Sequence, residues 1–277
     1  MADALELSEH DLQAIAQFVY ARSGIALNDG QRALVTARLQ KHVRAGGFRS
    51  FGEYLHFVAQ DESGDELVQL LDAIATNHTA FFREPQHFDF LANVALPDVM
   101  AQGQGTRLHM WSAGCATGEE PYSLAMTLID TLPPGCLPAV RIFASDLSAT
   151  ALTRARGGIY PLERLALLPH DVVRRHFEKG LGAQTGLARV NSRAQQLVSF
   201  TRLNLVDVDD LGQRFAFIFC RNVMIYFDQA MRQRVAAVLE RHLVPGGYLF
   251  LSHAETLHGI DHSLHQVAPA VYQRSGR

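Results

Sequence analysis

The sequence predicts an α/β protein in which a helical bundle precedes a doubly wound, mainly parallel β-sheet. Hydrophobic residues make up 48% of the 277 residues, which is enough for a large buried core. Residues 1–75 show apolar positions at helical spacing and no strand periodicity. From about residue 106, strand-like apolar runs alternate with helical segments, which is typical of a parallel sheet covered by helices on both faces.

The composition excludes several classes of protein. The formal net charge of −3 gives no general attraction to nucleic acid or to a membrane surface, and no apolar run is long enough to cross a bilayer. The N-terminus lacks the basic and apolar regions of a signal peptide. Three widely spaced cysteines, Cys115, Cys136 and Cys220, fit a reducing compartment without disulfides. We expect a cytoplasmic monomer with no nucleic-acid partner and no membrane insertion.

Residues 1–75 are predicted to form an N-terminal domain of four helices. Ser8 and Ser50 are plausible N-caps of the first and third helices, and Gly46-Gly47 ends the second, which begins near Gln31. The apolar positions of the four helices are, in chain order, Leu12, Ile15, Phe18, Val19, Leu34, Val35, Leu39, Val43, Phe51, Tyr54, Leu55, Val58, Leu67, Leu70, Leu71 and Ile74.

Residues 76–104 are predicted to be a linker that begins with a dense polar and aromatic cluster at 77–84. One interpretation is that Phe81 and Phe82 pack the helical bundle against the sheet domain. A second, compatible interpretation is that polar residues of the cluster form a lid over a bound ligand: Asn77, Thr79 and Arg83.

Residues 105–277 are predicted to form the sheet domain. Its strand-like runs lie at 108–111, 140–144, 197–200, 215–219 and 248–251. The last apolar run, 264–272, predicts a terminal strand or hairpin. Glycine turns between short alternating runs predict a small antiparallel β insert at about residues 170–196.

The turn at residues 111–122, between a buried strand and a helix, is the most informative local feature. Gly114 and Gly118 bend the chain, and Glu119-Glu120 opens the helix. Open α/β sheets bind nucleotide-like ligands at such a turn, but two carboxylates would repel a pyrophosphate. The G-x-G-x-x-G and Walker patterns are both missing. The turn therefore predicts a ligand that carries positive charge.

Further strand ends carry polar residues. Asp146 closes the second strand, where a carboxylate commonly accepts the hydroxyls of a ribose, and Asn204 can bond an adenine edge. Taken singly, structural roles are favoured: Asp146 as an N-cap, Asn204 in an Asx-turn, Arg221 as a surface charge and Tyr226 as a core aromatic. Taken together with the acidic turn, these residues indicate S-adenosylmethionine, which has an adenosine, no phosphate and a cationic sulfonium.

Several longer segments form recognisable motifs: NHTAFFR at 77–83, WSAG and TGEEPYS at 111–114 and 117–123, ASD at 144–146, and FCRNVMIYF at 219–227. In this order they resemble the CheR family, the bacterial chemotaxis protein-glutamate O-methyltransferases. The resemblance covers essentially the whole chain. It implies an S-adenosylmethionine-dependent methyltransferase (Rossmann-like) fold with an inserted antiparallel β-subdomain, preceded by a helical domain. It also implies methyl transfer to glutamate side chains in the cytoplasmic part of chemoreceptors, with S-adenosylhomocysteine as product.

The resemblance further implies roles for individual residues. Arg83 and Tyr226 would be the catalytic residues nearest the transferred methyl group. Glu120 is favoured over its neighbour Glu119 as the carboxylate that meets the cofactor. The implied cofactor contacts are Asn77, Thr79, Arg83, Gly114, Glu120, Asp146, Asn204, Leu205, Asn222 and Val223.

Two surfaces are expected to meet the receptor. The insert is similar in loop length to that of family members which bind the receptor's C-terminal pentapeptide as an added strand. The second helix carries a basic face that suits the acidic methylation helices, although an ordinary solvated face explains it equally well. The basic residues of that face are Arg32, Arg38, Lys41, His42 and Arg44.

No metal site is predicted, because His78, His87, His253 and His258 lack metal-ligand spacing. Two alternative functions are a non-catalytic module that binds S-adenosylmethionine and signals its occupancy, and methylation of nucleic acid or a small molecule. Enzymes that methylate nucleic-acid amino groups typically carry an Asn/Asp-Pro-Pro-aromatic turn, whereas this chain has RNVM at 221–224.

Overall fold

The computed structural model describes residues 5–102 and 107–276. Its first domain consists of α1 (Glu9–Ser23), α2 (Arg32–Ala45), α3 (Phe51–Gln60) and α4 (Asp65–Ile74). The predicted N-caps are present, because Ser8 accepts a hydrogen bond from the Asp11 N–H and Ser50 accepts one from the Glu53 N–H. The domain encloses its own core, which includes Leu12, Ile15, Val19, Val35, Leu39, Val43, Phe51, Tyr54 and Leu70.

The segment predicted as a linker contains helices, and this corrects the expectation from sequence. α5 (Pro85–Phe90), a π-helical segment (Leu91–Ala95) and α6 (Leu96–Ala101) follow one another without a break. Pro97 argues against a continuous helix, since proline lacks an N–H, but the irregular π turn before it tolerates the lost bond. The buried residues of this stretch belong to the core of the sheet domain: Phe88, Leu91, Ala95, Leu96 and Val99. Residues 103 and 104 of the predicted linker lie outside the described residues.

The main sheet has seven strands in the order β6-β2-β1-β7-β8-β10-β9. The strands are β1 (Leu108–Ala113), β2 (Val140–Asp146), β6 (Val198–Arg202), β7 (Phe215–Phe219), β8 (Leu243–Phe250), β9 (Leu264–Ala268) and β10 (Val271–Arg274). The first five are parallel, and β9 and β10 form the predicted terminal hairpin in antiparallel pairing. The predicted α/β fold is confirmed.

Helices lie on both sides of this sheet and connect its strands. They are α7 (Glu119–Thr131), α8 (Ala149–Gly157), α10 (Ser192–Gln195) and α11 (Gln229–His242). Two hydrophobic clusters line the sheet, one around Phe217 and Phe219 and the other around Trp111 and Phe215. The switch point of the sheet lies between β1 and β7, because the chain runs outward from β1 to β6 and then returns to the other side of β1.

The inserted subdomain is a three-stranded antiparallel sheet in the order β3-β5-β4. Its strands are β3 (Ile159–Pro161), β4 (Phe177–Lys179) and β5 (Leu187–Val190), with α9 (His170–His176) between the first two. The insert thus begins before the predicted range of about 170–196. Three residues are too few to give a readable alternation, so β3 had no signal in the sequence.

The described part of the chain contains no helix that is both long enough and apolar enough to span a membrane.

Candidate active site

A pocket opens at the carboxyl ends of the strands beside the switch point, where open α/β sheets bind ligands. The residues that line it come from the ends of α1 and α4, the 76–83 segment and the turns after β1, β2, β6 and β7. All the predicted site residues line this pocket: Asn77, Thr79, Arg83, Gly114, Glu120, Asp146, Asn204, Leu205, Asn222, Val223 and Tyr226.

The turn after β1 approaches the turn after β7 closely. Gly114 has a φ of 83°, and its N–H donates to the Ser145 carbonyl at 2.8 Å. A Cβ at Gly114 would lie 2.3 Å from Cγ2 of Val223. Glycine is therefore required at this position both by the left-handed backbone and by the space.

The two neighbouring glutamates have different surroundings. Glu120 lines the pocket, whereas Glu119 is 1% exposed and lies outside it. Glu119 accepts a hydrogen bond from the Thr117 hydroxyl at 2.6 Å and lies 3.8 Å from the Arg164 guanidinium. This geometry supports Glu120 as the carboxylate that faces a ligand.

Glu120 is held by the buried Arg221, so the interpretation of this arginine as a surface charge, favoured when it is taken singly, is wrong. Arg221 is 5% exposed and forms ion pairs with Glu84 at 3.0 Å and with Glu120 at 3.2 Å. The Ser112 hydroxyl donates to the other oxygen of Glu120 at 2.8 Å. Burial raises the pKa of the Glu120 carboxyl, and the adjacent Arg221 guanidinium opposes that rise.

Asp146 ties the turn after β1 to the start of α8. Its two oxygens accept the N–H groups of Ala116 and Ser148, each at 2.8 Å. Ser148, not Asp146, is the N-cap of α8. Burial raises the pKa of the Asp146 carboxyl, and these N–H groups oppose the rise. Each oxygen keeps a second lone pair, so the carboxylate can still accept two ligand hydroxyls.

The segment at 76–83 covers one side of the pocket. Asn77 donates to the Ser148 hydroxyl at 3.3 Å, and Arg83 donates to the His78 carbonyl at 3.0 Å. Arg164, from the insert, donates to the Thr79 carbonyl at 3.1 Å. These contacts hold the segment beside the pocket.

The two phenylalanines of this segment do not join the bundle to the sheet domain. Phe81 packs edge-on against Tyr160 and Phe177 of the insert, with ring centroids 4.9 and 5.2 Å away. Phe82 packs against Phe88 with centroids 5.2 Å apart. Phe81 belongs to the sheet-domain core and Phe82 packs against it, because the helical stretch after residue 84 brings that core up to the segment.

The helical domain supplies the opposite wall. Ser23, Ile25, Ile74 and Ala75 line the pocket. The Ala26 N–H donates to the Tyr226 carbonyl at 2.9 Å, and Ile25 forms an antiparallel bridge with Phe227. The Asn204 amide donates to the Arg22 carbonyl at 2.9 Å and to Asp207 at 2.6 Å, so its side-chain oxygen is the group left to face a ligand.

The sequence did not predict the supporting roles of Arg221 and Glu255 around this pocket. Glu255 accepts hydrogen bonds from the backbone of the loop after β7. A single acidic residue between β8 and β9 carries no signal of that contact.

The thiols of Cys115 and Cys220 are buried, and burial raises the pKa of each well above its usual value. Neither is suited to act as a nucleophile, since the thiolate is the reactive form.

The fold brings a group of possible metal ligands together beside Arg221, although these residues lack metal-ligand spacing in the sequence. Glu84, His87 and His253 each offer a ligand atom within 4.8 Å of the others. The two imidazole rings stack at an interplanar angle of 17°. The expectation that this protein holds no metal stays a prediction.

The pocket suits S-adenosylmethionine. Glu120 can offer a carboxylate to an ammonium group, and Asp146 can offer acceptors to ribose hydroxyls.

Comparison with known families gives the same result. Residues 77–272 match the model of the CheR methyltransferase S-adenosylmethionine-binding domain, and residues 10–75 match that of the CheR methyltransferase all-alpha domain.

Named relatives match along nearly their whole lengths. The chemotaxis protein methyltransferase of Escherichia coli K12 is 38% identical over 277 residues, covering 99% of this chain and 94% of the relative. That of Borreliella burgdorferi is 35% identical over 276 residues, covering 98% and 96%. Chemotaxis protein methyltransferase 2 of Pseudomonas aeruginosa is 38% identical over 267 residues, covering 96% and 93%. The non-catalytic alternative is not favoured. The chain belongs to the CheR family and is an S-adenosylmethionine-dependent methyltransferase of chemotaxis.

Proposed function

We propose that this enzyme methylates glutamate side chains in the cytoplasmic domains of chemoreceptors, giving glutamate methyl esters. The observation that carries the proposal is that Arg83 and Tyr226 line the same pocket as the carboxylates that suit the cofactor. A carboxylate acceptor needs no base, because a glutamate with a pKa of about 4.3 is ionised at neutral pH. The pocket accordingly needs to align its two substrates rather than remove a proton.

Ten residues would hold the cofactor, which supplies an electrophilic methyl group on a sulfonium. Glu120 would bind its ammonium group and Asp146 its ribose hydroxyls. Asn204 and Leu205 would meet the adenine, and Asn77, Thr79, Arg83, Gly114, Asn222 and Val223 would complete the contact surface. The position of Glu120 on the pocket wall, with Glu119 outside it, supports this assignment.

Arg83 and Tyr226 would act on the acceptor. Arg83 would attract the incoming carboxylate, and the Tyr226 hydroxyl would orient one of its oxygens for in-line attack. Alignment of this kind supplies up to about 7–11 kcal/mol of barrier reduction. The proposed reaction would therefore need alignment from these residues and no general base.

The test uses labelled S-adenosylmethionine with purified receptor cytoplasmic fragments. We expect label that is released by alkali, since esters hydrolyse and methylated nitrogen does not. Arg83→Ala and Tyr226→Phe should each lower turnover. The affinity for S-adenosylhomocysteine should fall with Arg83→Ala, which removes a cofactor contact, and change far less with Tyr226→Phe. Alkali-stable label, or wild-type turnover in both variants, would contradict the assignment.

We propose that the basic end of α2 docks the acidic methylation helices. Two of the five basic residues of α2 have internal roles, since Arg32 donates to the Leu7 carbonyl and Arg38 donates to the Ala75 carbonyl and the Thr76 hydroxyl. Lys41 and Arg44 are exposed. Lys41 lines a groove beside the lid with Arg154 and Arg164, and these three cations support docking of an acidic helix. Burial lowers the pKa of the neighbouring His42, so that residue adds no charge at neutral pH.

Charge reversal tests the docking face. Lys41→Glu with Arg44→Glu should raise the KM for the receptor fragment several-fold and leave the affinity for S-adenosylhomocysteine unchanged. Arg38 is left intact because it anchors the segment that leads into the lid. The matched control is Arg234→Glu with Arg241→Glu on the exposed side of α11. Equal KM values for the two double variants would remove the docking proposal.

We further propose that β4 receives the receptor's C-terminal pentapeptide. It is an edge strand of the small sheet, and the groove beside it combines basic, aromatic and apolar side chains with one acid: His170, Asp171, Val173, Arg174, Phe177 and Lys179. An edge strand can pair with an added strand, and these side chains suit a peptide with an acidic and an aromatic residue. Calorimetry should show heat with such a pentapeptide and none with a scrambled one; no heat with either contradicts the proposal.

We also propose that the enzyme acts on these receptor segments in the cytoplasm and as a monomer.

A further inference from the structure

The loop after β7 carries three of the residues assigned to the active site. After Phe219 the chain passes Asn222 and Val223 and reaches Tyr226 in a single 3₁₀ turn, Met224–Tyr226. Asn222 has a φ of 60°, so the backbone passes through the left-handed region. This course directs successive backbone N–H groups to one side of the loop.

One carboxylate receives those N–H groups. Glu255 follows β8, lies 33 residues from Asn222 and is only 8% exposed. Its two oxygens accept hydrogen bonds from five backbone N–H groups: Asn222 at 2.9 Å, Val223 at 2.9 Å, Met224 at 2.7 Å, Ile225 at 3.3 Å and Ser252 at 2.9 Å.

Successive N–H groups that converge on one point form a binding site for an anion. Here the anion is a side chain of the same protein. Hydrogen bonds to a charged acceptor are roughly twice as strong as neutral ones. The Glu255 carboxylate therefore favours this one conformation of the loop and offsets the cost of the left-handed backbone at Asn222.

The other side of the loop is fixed by the helical domain. The Ala26 N–H donates to the Tyr226 carbonyl at 2.9 Å, and Ile25 pairs with Phe227. The backbone that carries Tyr226 is thus held between Glu255 and the chain that follows α1.

We infer that Glu255 is a positioning residue for methyl transfer. Its carboxylate fixes the loop so that Asn222 and Val223 face the cofactor and Tyr226 faces the acceptor. Glu255 itself does not line the pocket wall. The inference rests on the proposed function for the role given to Tyr226, and on the geometry alone for the hold on the loop.

Glu255→Gln is the informative variant because it keeps the shape and removes the charge. Glutamine has one acceptor oxygen, and its NH₂ group would face N–H donors that it cannot satisfy. We expect turnover on a receptor fragment to fall roughly 100-fold, as misplacement of reacting groups by about 1 Å produces. Hydrogen exchange should accelerate at residues 222–225 and stay unchanged in β1 and β2. The matched control is Glu62→Gln, at an exposed glutamate of the helical domain.

A double-mutant cycle separates positioning from general destabilisation. If Glu255 acts through Tyr226, adding Glu255→Gln to Tyr226→Phe should lose less activity than the product of the single losses. Multiplicative losses would overturn the role of Glu255 in placing Tyr226. Turnover and loop exchange in Glu255→Gln equal to those of Glu62→Gln would overturn the inference as a whole.

Two further measurements keep the test decisive. If the wild type does not methylate receptor fragments, the proposed function fails. The hold of Glu255 on the loop is still tested by hydrogen exchange at residues 222–225 and by the affinity for S-adenosylhomocysteine. If Glu255→Gln does not fold, Glu255→Asp is used, which keeps the charge but is too short to reach all five N–H groups. A folded Glu255→Asp with wild-type loop exchange would overturn the inference.

Discussion

The charge at the cofactor end of the pocket is set by one buried cation between two acids. Arg221 is 5% exposed, and its guanidinium pairs with Glu84 and Glu120. Arginine keeps its charge in any surroundings, so it can be buried only with partners that neutralise it. Each of the two carboxylates in turn depends on Arg221 to neutralise its charge.

Arg221→Met should therefore be strongly destabilising. It leaves two carboxylates without their partner, and breaking a buried ion pair costs about 3–5 kcal/mol. Urea unfolding would measure the loss. Arg214→Met is the matched control, because Arg214 pairs with Asp210 at the surface, where a pair contributes about 0–1 kcal/mol. Equal losses in the two variants would show that the buried cation is not needed.

His87 makes stability depend on pH. Its ring is 2% exposed, and burial together with the nearby Arg221 lowers its pKa to about 4, against the opposing charge of Glu84. His253, stacked on its ring, lowers the pKa further. The folded state thus keeps His87 neutral at pH values where the unfolded chain binds a proton.

The unfolding free energy should accordingly fall as pH drops from about 6.5 to about 4, by at most about 2–3 kcal/mol from this residue. The contribution is fully present above pH 6.5 and is lost as pH falls toward the folded-state pKa. Urea titrations at several pH values across this window would give the free energy of unfolding of the wild type and of His87→Phe. Plotted against pH, this free energy should have a shallower slope in the variant. His10→Phe, at an exposed histidine, should retain the wild-type slope.

At the scale of elements, α8 is fixed at its N-terminus by side chains from three places. Ser148 caps the Ala151 N–H, and Asp146 accepts from Ser148. Asp72, from α4 of the helical domain, accepts the N–H groups of Ala149 and Thr150 at 3.0 and 2.9 Å. A carboxylate there also meets the positive end of the helix. The start of α8 therefore joins the helical domain to the side of the pocket that carries Asp146.

Asp72→Ala should destabilise the protein by about 1–2 kcal/mol, the usual loss on removal of a helix cap. It should also weaken the binding of S-adenosylhomocysteine, because α8 begins three residues after β2 ends at Asp146. Thermal unfolding and calorimetry would measure both effects. Asp209→Ala, at an exposed aspartate, should alter neither. Lost stability with unchanged affinity would mean that the cap does not support the pocket.

At the scale of the whole molecule, local chemistry made much of the fold predictable. Serine caps and apolar periodicity define α1 and α3, and continuous apolar runs define β1 and β7. The missed features depend on contacts distant in sequence. The helices at 85–101 are stabilised by burial against the sheet, the short strand β3 exists through pairing with β5, and the hold of Glu255 on the loop after β7 joins two separate turns.

The site shows the same division. Motifs at strand ends identified the residues that line the pocket, since parallel strands bring their carboxyl ends together. Neither the burial of Arg221 nor the internal hydrogen bonds of Arg38 could be inferred, because each is decided by partners on other elements.

The two domains share one pocket, and ligand binding should therefore stabilise both together. Ser23, Ile25, Ile74 and Ala75 of the helical domain face Gly114, Asp146 and Asn222 of the sheet domain. The Tyr20 hydroxyl donates to Asp228 at 2.7 Å, and Asp72 joins α4 to α8. A ligand that contacts both walls binds only the assembled form, so its binding free energy favours the whole molecule over either domain unfolded alone.

S-adenosylhomocysteine at a hundred times its Kd should stabilise the full chain by about 2.7 kcal/mol and raise the Tm by about 5 °C in a single calorimetric transition. Hydrogen exchange should slow in α1 and α4 as well as around β1 and β7. Asp146→Asn, which weakens the hold on a ribose, should reduce the shift at the same ligand concentration. A helical domain that melts separately, with exchange unaffected by the ligand, would show that its wall of the pocket does not take part in binding.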